Sequence, residues 1–561
     1  MDKYVGENAM ISTNRINGEL FEKLILSGAK KLQSKVQEVN DLNVFPIPDG
    51  DTGENMFLTI KGGVEKMLAE NSKILSDKAN ALAQGMLLNA RGNSGVILSQ
   101  LFFGLAEGLN GKEEAHLSDL GVAFGQGVKR AYTSVVRPVE GTILTVAREA
   151  VENACDNIDD NMQIADFFKH FLVEMKKSLD NTPELLETLK ESGVIDSGGA
   201  GLVYIVEGFY RAIMEEEVDS ELAITVQENA PTVDLSKFNA DSVMEFGYCT
   251  EILLQLQNSK VDTENFDVRT IIEYLETIGD SIVAFKTGTI IKMHVHTLTP
   301  YKVLEFCQQF GEYLTVKIEN MTLQHNESED GKSTSKKKRK ERTEYAVVTV
   351  ASGDGLIKLF KDLGADVVIS GGQTNNPSSE DFIDAFDQVN ADHIFVLPNN
   401  GNVVLTAKQA AKLYKDSDVR VIESKNIGQG YSALSMLDYS AGNADEIANN
   451  LKSDMQDVVT AMVSTAVRST TVNGINITKD DYIGFTDHTM LVSTADKLDC
   501  AKDVVDKLVD DKSFVIILSG KGATSEQTKE LEEYVLNTYP QVEVYPVDGG
   551  QDVYDFILIL E

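Results

Sequence analysis

The sequence predicts a multidomain protein in which an all-α region is followed by a small α+β domain and then by an α/β domain. Apolar residues recur at helical spacing within residues 1–217, whereas short strand patterns alternate with helices over 241–325 and again over 344–561. Two polar stretches, 218–240 and 326–343, interrupt these patterns and are predicted to be linkers, the second of them disordered. At 561 residues the chain has the length of three or four domains.

The composition is that of a globular protein, since 42% of the residues are hydrophobic and 25% are charged. A formal charge of −37 argues against an extended nucleic-acid-binding face, which needs lysine and arginine to replace counterions. The four cysteines lie far apart without a CxxC spacing, a pattern typical of reduced thiols in a cytoplasmic protein. We also expect no transmembrane segment, because no apolar run approaches the length that spans a bilayer.

Helical periodicity dominates the first region. The first apolar stripe consists of Leu20, Phe21, Leu24, Ile25, Gly28 and Leu32, and comparable stripes recur over 76–89, 94–109, 118–135, 141–157, 162–180 and 199–216. Another helix is predicted from Thr52 through Phe57, Ile60, Val64 and Met67.

Two carboxylates stand just ahead of that helix, in the stretch Asn43-Val-Phe-Pro-Ile-Pro-Asp-Gly-Asp-Thr-Gly-Glu-Asn-Met56. Asp49 and Asp51 are hard oxygen ligands of the kind that Mg²⁺ takes, and the free N–H groups of a helix start favour phosphate. This pairing predicts a metal–phosphate site. The alternative is an acidic turn in which Asp51 or Thr52 caps the helix.

Three further helix starts are rich in glycine: Arg91 to Gly95, Glu140 to Thr142 and Asp196 to Gly201. Glycine allows backbone N–H groups to approach a ligand closely, so four such junctions in one region favour a phosphate cradle with metal. The alternative is that these glycines form ordinary turns and C-caps, with Ser94 and Thr142 as N-caps. None of the junctions matches a P-loop or a Rossmann pattern.

The predicted strands and helices of the middle region follow the order βαββαβ, which predicts a ferredoxin-like domain. His294 and His296 share one face of a strand, and Cys249 lies on the first strand, so the three residues form a candidate zinc site if the strands are neighbours. The alternative is a pair of solvent-facing histidines and a buried thiol. This domain is also our candidate for a homodimer contact.

Short strands at 345–351, 366–370, 393–397 and 419–423 predict a parallel sheet in the last region. Polar loops follow these and later strands, at Gly371 to Pro377, Asn399 to Asn402 and Ser519 to Gly522. Such strand ends are places where ligands or partners bind, although ordinary turns look the same in sequence.

The motifs Asn43 to Met56, Asn89-Ala-Arg-Gly-Asn-Ser-Gly-Val96 and Asp196-Ser-Gly-Gly-Ala-Gly-Leu202 resemble the ATP-binding domain shared with the nucleotide subunit of dihydroxyacetone kinase. That likeness covers about the first 215 residues. The remainder carries Phe246-Gly-Tyr-Cys-Thr-Glu251, Lys292-Met-His-Val-His296 and Ser370-Gly-Gly-Gln-Thr-Asn-Asn-Pro-Ser378. With these, the whole chain is similar to the bacterial fatty acid kinase ATP-binding subunit.

The resemblance implies an eight-helix barrel in which aspartates hold two Mg²⁺ ions against the phosphates of ATP. By position, Asp49 and Asp51 become the catalytic metal ligands, and a third ligand falls on Asn43 or on Asp41. The nucleotide contacts implied in the same way are Thr52, Asn55, Ser94, Gly95 and Thr142, with Asp196 and Gly198 in the loop that closes the pocket.

The family also implies a reaction and a partner. The γ-phosphoryl group of ATP passes to the carboxylate of a fatty acid held by a separate fatty-acid-binding protein, giving an acyl phosphate for phospholipid synthesis. The C-terminal domain resembles the fold of that carrier, the DegV fold. Two other functions remain open: a kinase of a small hydroxyl substrate such as dihydroxyacetone, and a nucleotide-sensing scaffold without catalysis.

Overall fold

The computed structural model describes residues 11–43, 50–135, 137–155, 158, 162–216, 248–263, 266–275, 277–287, 289–320, 342–373, 375–487 and 489–561. The chain divides into two compact units, residues 225–337 and the remainder, so the helical region and the α/β region belong to one unit. Linker residues 218–240 and 326–341 lie outside the described ranges.

The helical region contains eleven helices within its described residues. They are Gly18–Gln33 (α1), Val36–Asp41 (α2), Thr52–Ala69 (α3), Leu75–Leu88 (α4), Gly92–Gly108 (α5), Leu117–Ser134 (α6), Ile143–Cys155 (α7), Ile164–Asp180 (α8), Thr182–Leu185 (α9), Glu187–Ser192 (α10) and Ser197–Ile213 (α11). The eight longest match the predicted stripes. A small antiparallel pair of strands, Arg15–Asn17 (β1) and Glu114–His116 (β2), was not predicted.

These helices pack around one continuous apolar core. Met56, Ile60 and Val64 of α3 are fully buried in it, and each such side chain contributes roughly 1.5–3 kcal/mol when removed from water. Because this stripe is buried, α3 is fixed in position, and so are the polar residues of its first turn.

The middle unit follows the βαββαβ order. Its elements are Tyr248–Leu256 (β3), Arg269–Leu275 (α12), Gly279–Thr287 (β4), Ile290–Thr297 (β5), Pro300–Cys307 (α13) and Gly311–Asn320 (β6). The strands form an antiparallel sheet in the order β4-β5-β3-β6. Ile291, Met293 and Val295 are buried in its apolar core, as their alternation in sequence predicts.

The described residues of the α/β region form two main sheets. Its strands are Thr343–Ala351 (β7), Val367–Ser370 (β8), Ala391–Leu397 (β9), Asp418–Val421 (β10), Val459–Thr465 (β11), Thr470–Val472 (β12), Ile475–Ile477 (β13), Tyr482–Thr486 (β14), Met490–Thr494 (β15), Phe514–Ser519 (β16), Glu543–Asp548 (β17) and Phe556–Leu560 (β18). Strands β7 to β10 form the predicted parallel sheet, in the order β10-β9-β7-β8. A six-stranded mixed sheet has the order β15-β14-β11-β18-β16-β17.

Seven α-helices accompany these strands within the described residues of this region. They are Asp354–Asp362 (α14), Ser379–Val389 (α15), Val404–Leu413 (α16), Ile427–Ser435 (α17), Ala444–Asp454 (α18), Lys497–Leu508 (α19) and Ser525–Thr538 (α20). Two of them, α15 and α16, contact the helical region at α4 and α5. Across the part of the chain that the structure describes, no helix is both long and apolar enough to cross a membrane.

Candidate functional site

Asp51 lies at the N-cap position of α3, but its side chain does not cap the helix. Asn40 does so instead: its Oδ1 accepts hydrogen bonds from the backbone N–H of Gly53 at 2.7 Å and of Glu54 at 3.4 Å. A helix start needs such an acceptor, and here α2 supplies it. The interpretation of Asp51 as the capping residue is therefore wrong, and its carboxylate can take another role.

The Asp51 carboxylate is held inside the protein, with only 9% of the residue exposed. Its Oδ2 accepts a hydrogen bond from Nδ2 of Asn376, a residue of the α/β region. Asp49, the other predicted metal ligand, lies outside the described residues. Asn43 is close to this turn, since its Cβ is 3.7 Å from the position that a Cβ on Gly50 would occupy.

The start of α5 packs directly on the first turns of α3. Gly92 has φ +58°, and a Cβ there would lie 2.6 Å from Nδ2 of Asn55, so this contact requires glycine. Gly95 lies against the Thr59 side chain, whose hydroxyl donates to the Asn55 carbonyl at 2.6 Å. Ser94 belongs to the first turn of α5 and is partly exposed.

The start of α11 meets both α3 and α7. The Ser197 hydroxyl lies 3.4 Å from that of Thr52, which joins the first residues of α11 and α3. The Asp196 carboxylate accepts a hydrogen bond from the Gly199 N–H at 2.7 Å and another from the Ile143 N–H. One carboxylate thus binds the starts of two helices.

The start of α7 is built from a glycine turn and a capping threonine. Gly141 has φ +82°, which favours glycine, and Thr142 Oγ1 accepts from the Leu144 N–H at 3.4 Å. Thr142 is therefore an N-cap, as its alternative interpretation predicted. Gly198 lies close by, because a Cβ on it would be 3.3 Å from the Cβ of Ile143.

Four helix starts are consequently linked in the series α5, α3, α11, α7. Side chains already accept hydrogen bonds from the N–H groups named above, but each helix start keeps the positive end of a helix dipole, so together the starts favour an anion. Burial raises the pKa of the Asp196 carboxyl to about 6, although its two backbone hydrogen bonds lower it. The predicted residues of these junctions are thus neighbours, as a phosphate cradle requires.

The donors beside Asp51 fit a hard cation. Carboxylate and amide oxygens suit Mg²⁺, and Asp51, Asn43 and Asn55 offer them. Asn376 Oδ1 is buried and has no hydrogen-bond partner among the described residues, the condition expected of an oxygen that serves as a ligand of a cation or of water. Within the described residues no group of three or more His, Cys, Asp or Glu could hold a metal, and Asp49 is not among them.

The candidate zinc residues lie on neighbouring strands. In the pairing of β3 with β5, Cys249 is directly opposite His296, and His294 is opposite Glu251. The side chains of these residues lie outside the description, so the zinc site remains a prediction.

Three residues of this site were not predicted: Asn40, Arg91 and Asn376. Arg91 precedes α5, and its Nη1 donates to the Asn376 carbonyl at 2.8 Å. The sequence places Arg91 in a glycine motif and Asn376 in a polar loop after a strand. Only the fold brings the two together, across 285 positions of the chain.

Three family models match the chain in succession. They are the DAK2 domain over residues 46–211, the FakA-like middle domain of fatty acid kinase over 245–328 and the FakA-like C-terminal domain of fatty acid kinase over 346–561. Each match falls on one of the three regions described above.

Full-length relatives support the same grouping. Protein YloV of Bacillus subtilis is 38% identical over 98% of this chain and 100% of its own length. The uncharacterized protein SERP0792 of Staphylococcus epidermidis is 36% identical over the same shares. A solved DegV family protein from Thermus thermophilus, described as binding fatty acid, covers 39% of this chain and 100% of its own at 14% identity and a TM-score of 0.30, a likeness too low to support a conclusion.

Proposed function

Since the chain belongs to the FakA-like family of fatty acid kinase proteins, we propose that it is the ATP-binding subunit of a fatty acid kinase. One structural observation supports the assignment of particular residues: four helix starts are linked in series, and one of them follows a buried aspartate whose carboxylate does not cap its own helix. Such a site combines the positive ends of helix dipoles, which favour phosphate, with a hard ligand for Mg²⁺.

The proposed reaction needs little covalent chemistry from the protein. A carboxylate oxygen of the fatty acid forms a bond to the γ-phosphorus of ATP, the bond from that phosphorus to the β,γ-bridging oxygen breaks, and the products are acyl phosphate and ADP. The fatty acid is already ionised near pH 7, so no general base is required. The chain's task is to position the phosphates and to neutralise charge.

The residues divide this task between them. Asp51, with Asp49 and Asn43, would hold Mg²⁺, which neutralises phosphate charge when bound. The first turns of α3, α5, α7 and α11, including Thr52, Asn55, Ser94, Gly95, Thr142 and Gly198, would contact the nucleotide. Asp196 would fix two of these turns in place. A separate fatty-acid-binding protein would present the acceptor carboxylate.

The decisive experiment measures acyl phosphate formation from ATP, Mg²⁺ and a long-chain fatty acid, with and without a fatty-acid-binding carrier, by trapping the product with hydroxylamine. We expect transfer by the wild-type protein with the carrier and a loss of about 100-fold or more in Asp51→Asn, which is about 2.7 kcal/mol of transition-state stabilisation. Asp166→Asn is the matched control, because Asp166 is an exposed aspartate in the first turn of α8.

Two other outcomes would exclude the proposed function, and a third would exclude the role of Asp51. Phosphorylation of dihydroxyacetone without a carrier would indicate the small-substrate kinase, and nucleotide binding without any transfer would indicate the scaffold. Equal activity of Asp51→Asn and Asp166→Asn would remove Asp51 from the mechanism.

A further inference from the structure

The helical region and the α/β region meet beside the helix start that carries Arg91. The Arg91 guanidinium donates from Nη1 to the Asn376 carbonyl at 2.8 Å and lies 3.7 Å from Asp381 Oδ2. Arg91 also forms an isolated antiparallel bridge with Ser378. The segment 376–381 is therefore attached to the start of α5, which is one wall of the proposed phosphate cradle.

A second group of contacts fixes the same boundary. The Gln409 side chain on α16 donates from Nε2 to the Leu87 carbonyl at 2.8 Å, and its Oε1 accepts from Gln100 Nε2 at 2.8 Å. Asn93 Nδ2 lies 3.3 Å from Asn402 Oδ1. These bonds depend on direction and side-chain length, so they define one specific placement of the α/β region against α4 and α5.

Asn376 reaches from this boundary into the proposed site. The residue is 1% exposed and its Nδ2 donates to Asp51 Oδ2. Its Oδ1 is buried, and no described residue forms a hydrogen bond with it. Asn93, which follows the close contact at Gly92, likewise has a buried Oδ1 that lacks a hydrogen-bond partner in the part of the chain that the structure describes. Buried amide oxygens are rarely left in this state, and two of them flank the start of α5.

We propose that the nucleotide site is shared between the two regions and that Asn376 is its positioning residue from the α/β region. Through Nδ2 it fixes the orientation of the Asp51 carboxylate, and through Oδ1 it adds a neutral hard oxygen beside that carboxylate. Carboxylates that bind metal are commonly oriented by such a hydrogen bond, and an amide provides one without adding a like charge. This inference rests on the proposed function.

The shared site gives the α/β region a role in nucleotide binding that no sequence motif assigns to it. Arg91 links the two regions at this site, because it lies at the start of α5 and donates a hydrogen bond to the Asn376 carbonyl. Any displacement of the segment 376–381 would therefore change the surroundings of Asp51 and the start of α5 together. Mg²⁺-dependent nucleotide binding is the property that should report this coupling.

The test is calorimetric titration of the full-length protein with a non-hydrolysable ATP analogue, with Mg²⁺ and with EDTA. Asn376→Ala should weaken binding in Mg²⁺ by about fivefold or more and leave binding in EDTA within about twofold. Asn375→Ala is the matched control, because Asn375 is the exposed neighbour in the same loop. It should bind as the wild type does under both conditions.

A second variant guards against a folding defect. Asn376→Ser keeps a polar group but is too short to reach Asp51, so it should reproduce the loss of Mg²⁺-dependent binding while its melting temperature stays near that of Asn375→Ala. If Asn376→Ala and Asn376→Ser bind like the control while wild-type binding depends on Mg²⁺, the shared site is refuted and the proposed function stands. If wild-type binding does not respond to Mg²⁺, the proposed function itself fails.

Discussion

Asp51 and Asp196 look alike in sequence, yet the structure uses them differently. Each immediately precedes a helix with glycine in its first turns, and each occupies the N-cap position. The Asp196 carboxylate binds the backbone N–H groups of two helix starts, whereas the Asp51 carboxylate does not cap its helix and instead accepts from the side chain of Asn376. One carboxylate stabilises helix starts, and the other lies where the proposed cation would bind.

The difference depends on a third residue. Asn40 caps α3 from α2, and this frees Asp51 from the role that its position would otherwise assign. No comparable side chain from another helix caps α11, where Asp196 itself accepts from Gly199, among the contacts that the structure describes. An aspartate at a helix start is thus a better candidate ligand when another group already caps that helix.

The largest effect that we expect from this difference between the two aspartates is on the free energy of unfolding of Asp196→Asn. The folded-state pKa of Asp196 is about 6, above the ordinary value of 3.8, because the carboxyl is buried. Between these pH values the folded protein keeps a proton that the unfolded chain has lost, so its free energy of unfolding falls as pH rises. The Asp196→Asn substitution should remove this fall, because asparagine stays neutral. It should therefore raise the free energy of unfolding by at most about 3 kcal/mol at neutral pH.

Urea unfolding at several pH values between about 4 and 7.5 would measure this gain. Asp496→Asn is the matched control, because Asp496 also caps a helix, α19, but is exposed. We expect the free energy of unfolding of Asp196→Asn, relative to that of the wild type, to increase with pH. The same difference for Asp496→Asn should stay constant. An Asp196→Asn protein less stable than wild type at neutral pH would break the comparison.

A smaller effect is expected at Asn40. Asn40→Ala removes the cap of α3 and should lower the free energy of unfolding by about 1 kcal/mol. Gln37→Ala is a suitable control, since Gln37 lies on the same helix and its hydrogen bond to Asp41 is exposed. Its cost should stay below about 0.5 kcal/mol. Equal costs for the two variants would mean that Asn40 does not cap α3.

Much of the fold could be predicted because local sequence patterns determine its helices and strands. The helix from Thr52 to Ala69 begins at the residue that two preceding prolines and a glycine indicate, and the strands of the parallel sheet lie within two residues of their predicted bounds. The pairing of Cys249 with His296 meets the condition that the sequence left open for the candidate zinc site, and the zinc site itself remains a prediction.

The contacts of the site could not be predicted in the same way. Asp51 and Asn376 are separated by 325 positions, and no periodicity relates a helix start to a loop in a distant sheet. The cap from Asn40 depends on how α2 packs against α3 rather than on either sequence alone. The pair of β1 and β2 was missed because strands of three residues carry too little alternation to be recognised.

The most direct test of the central claim is the affinity of the wild-type protein and of Asp51→Asn for ATP, measured by calorimetry with and without Mg²⁺. If the Asp51 carboxylate holds the cation, Mg²⁺ should strengthen ATP binding by about tenfold or more in the wild type, and the substitution should abolish most of that increase. An Asp51→Asn protein that keeps the full Mg²⁺-dependent increase would contradict the claim.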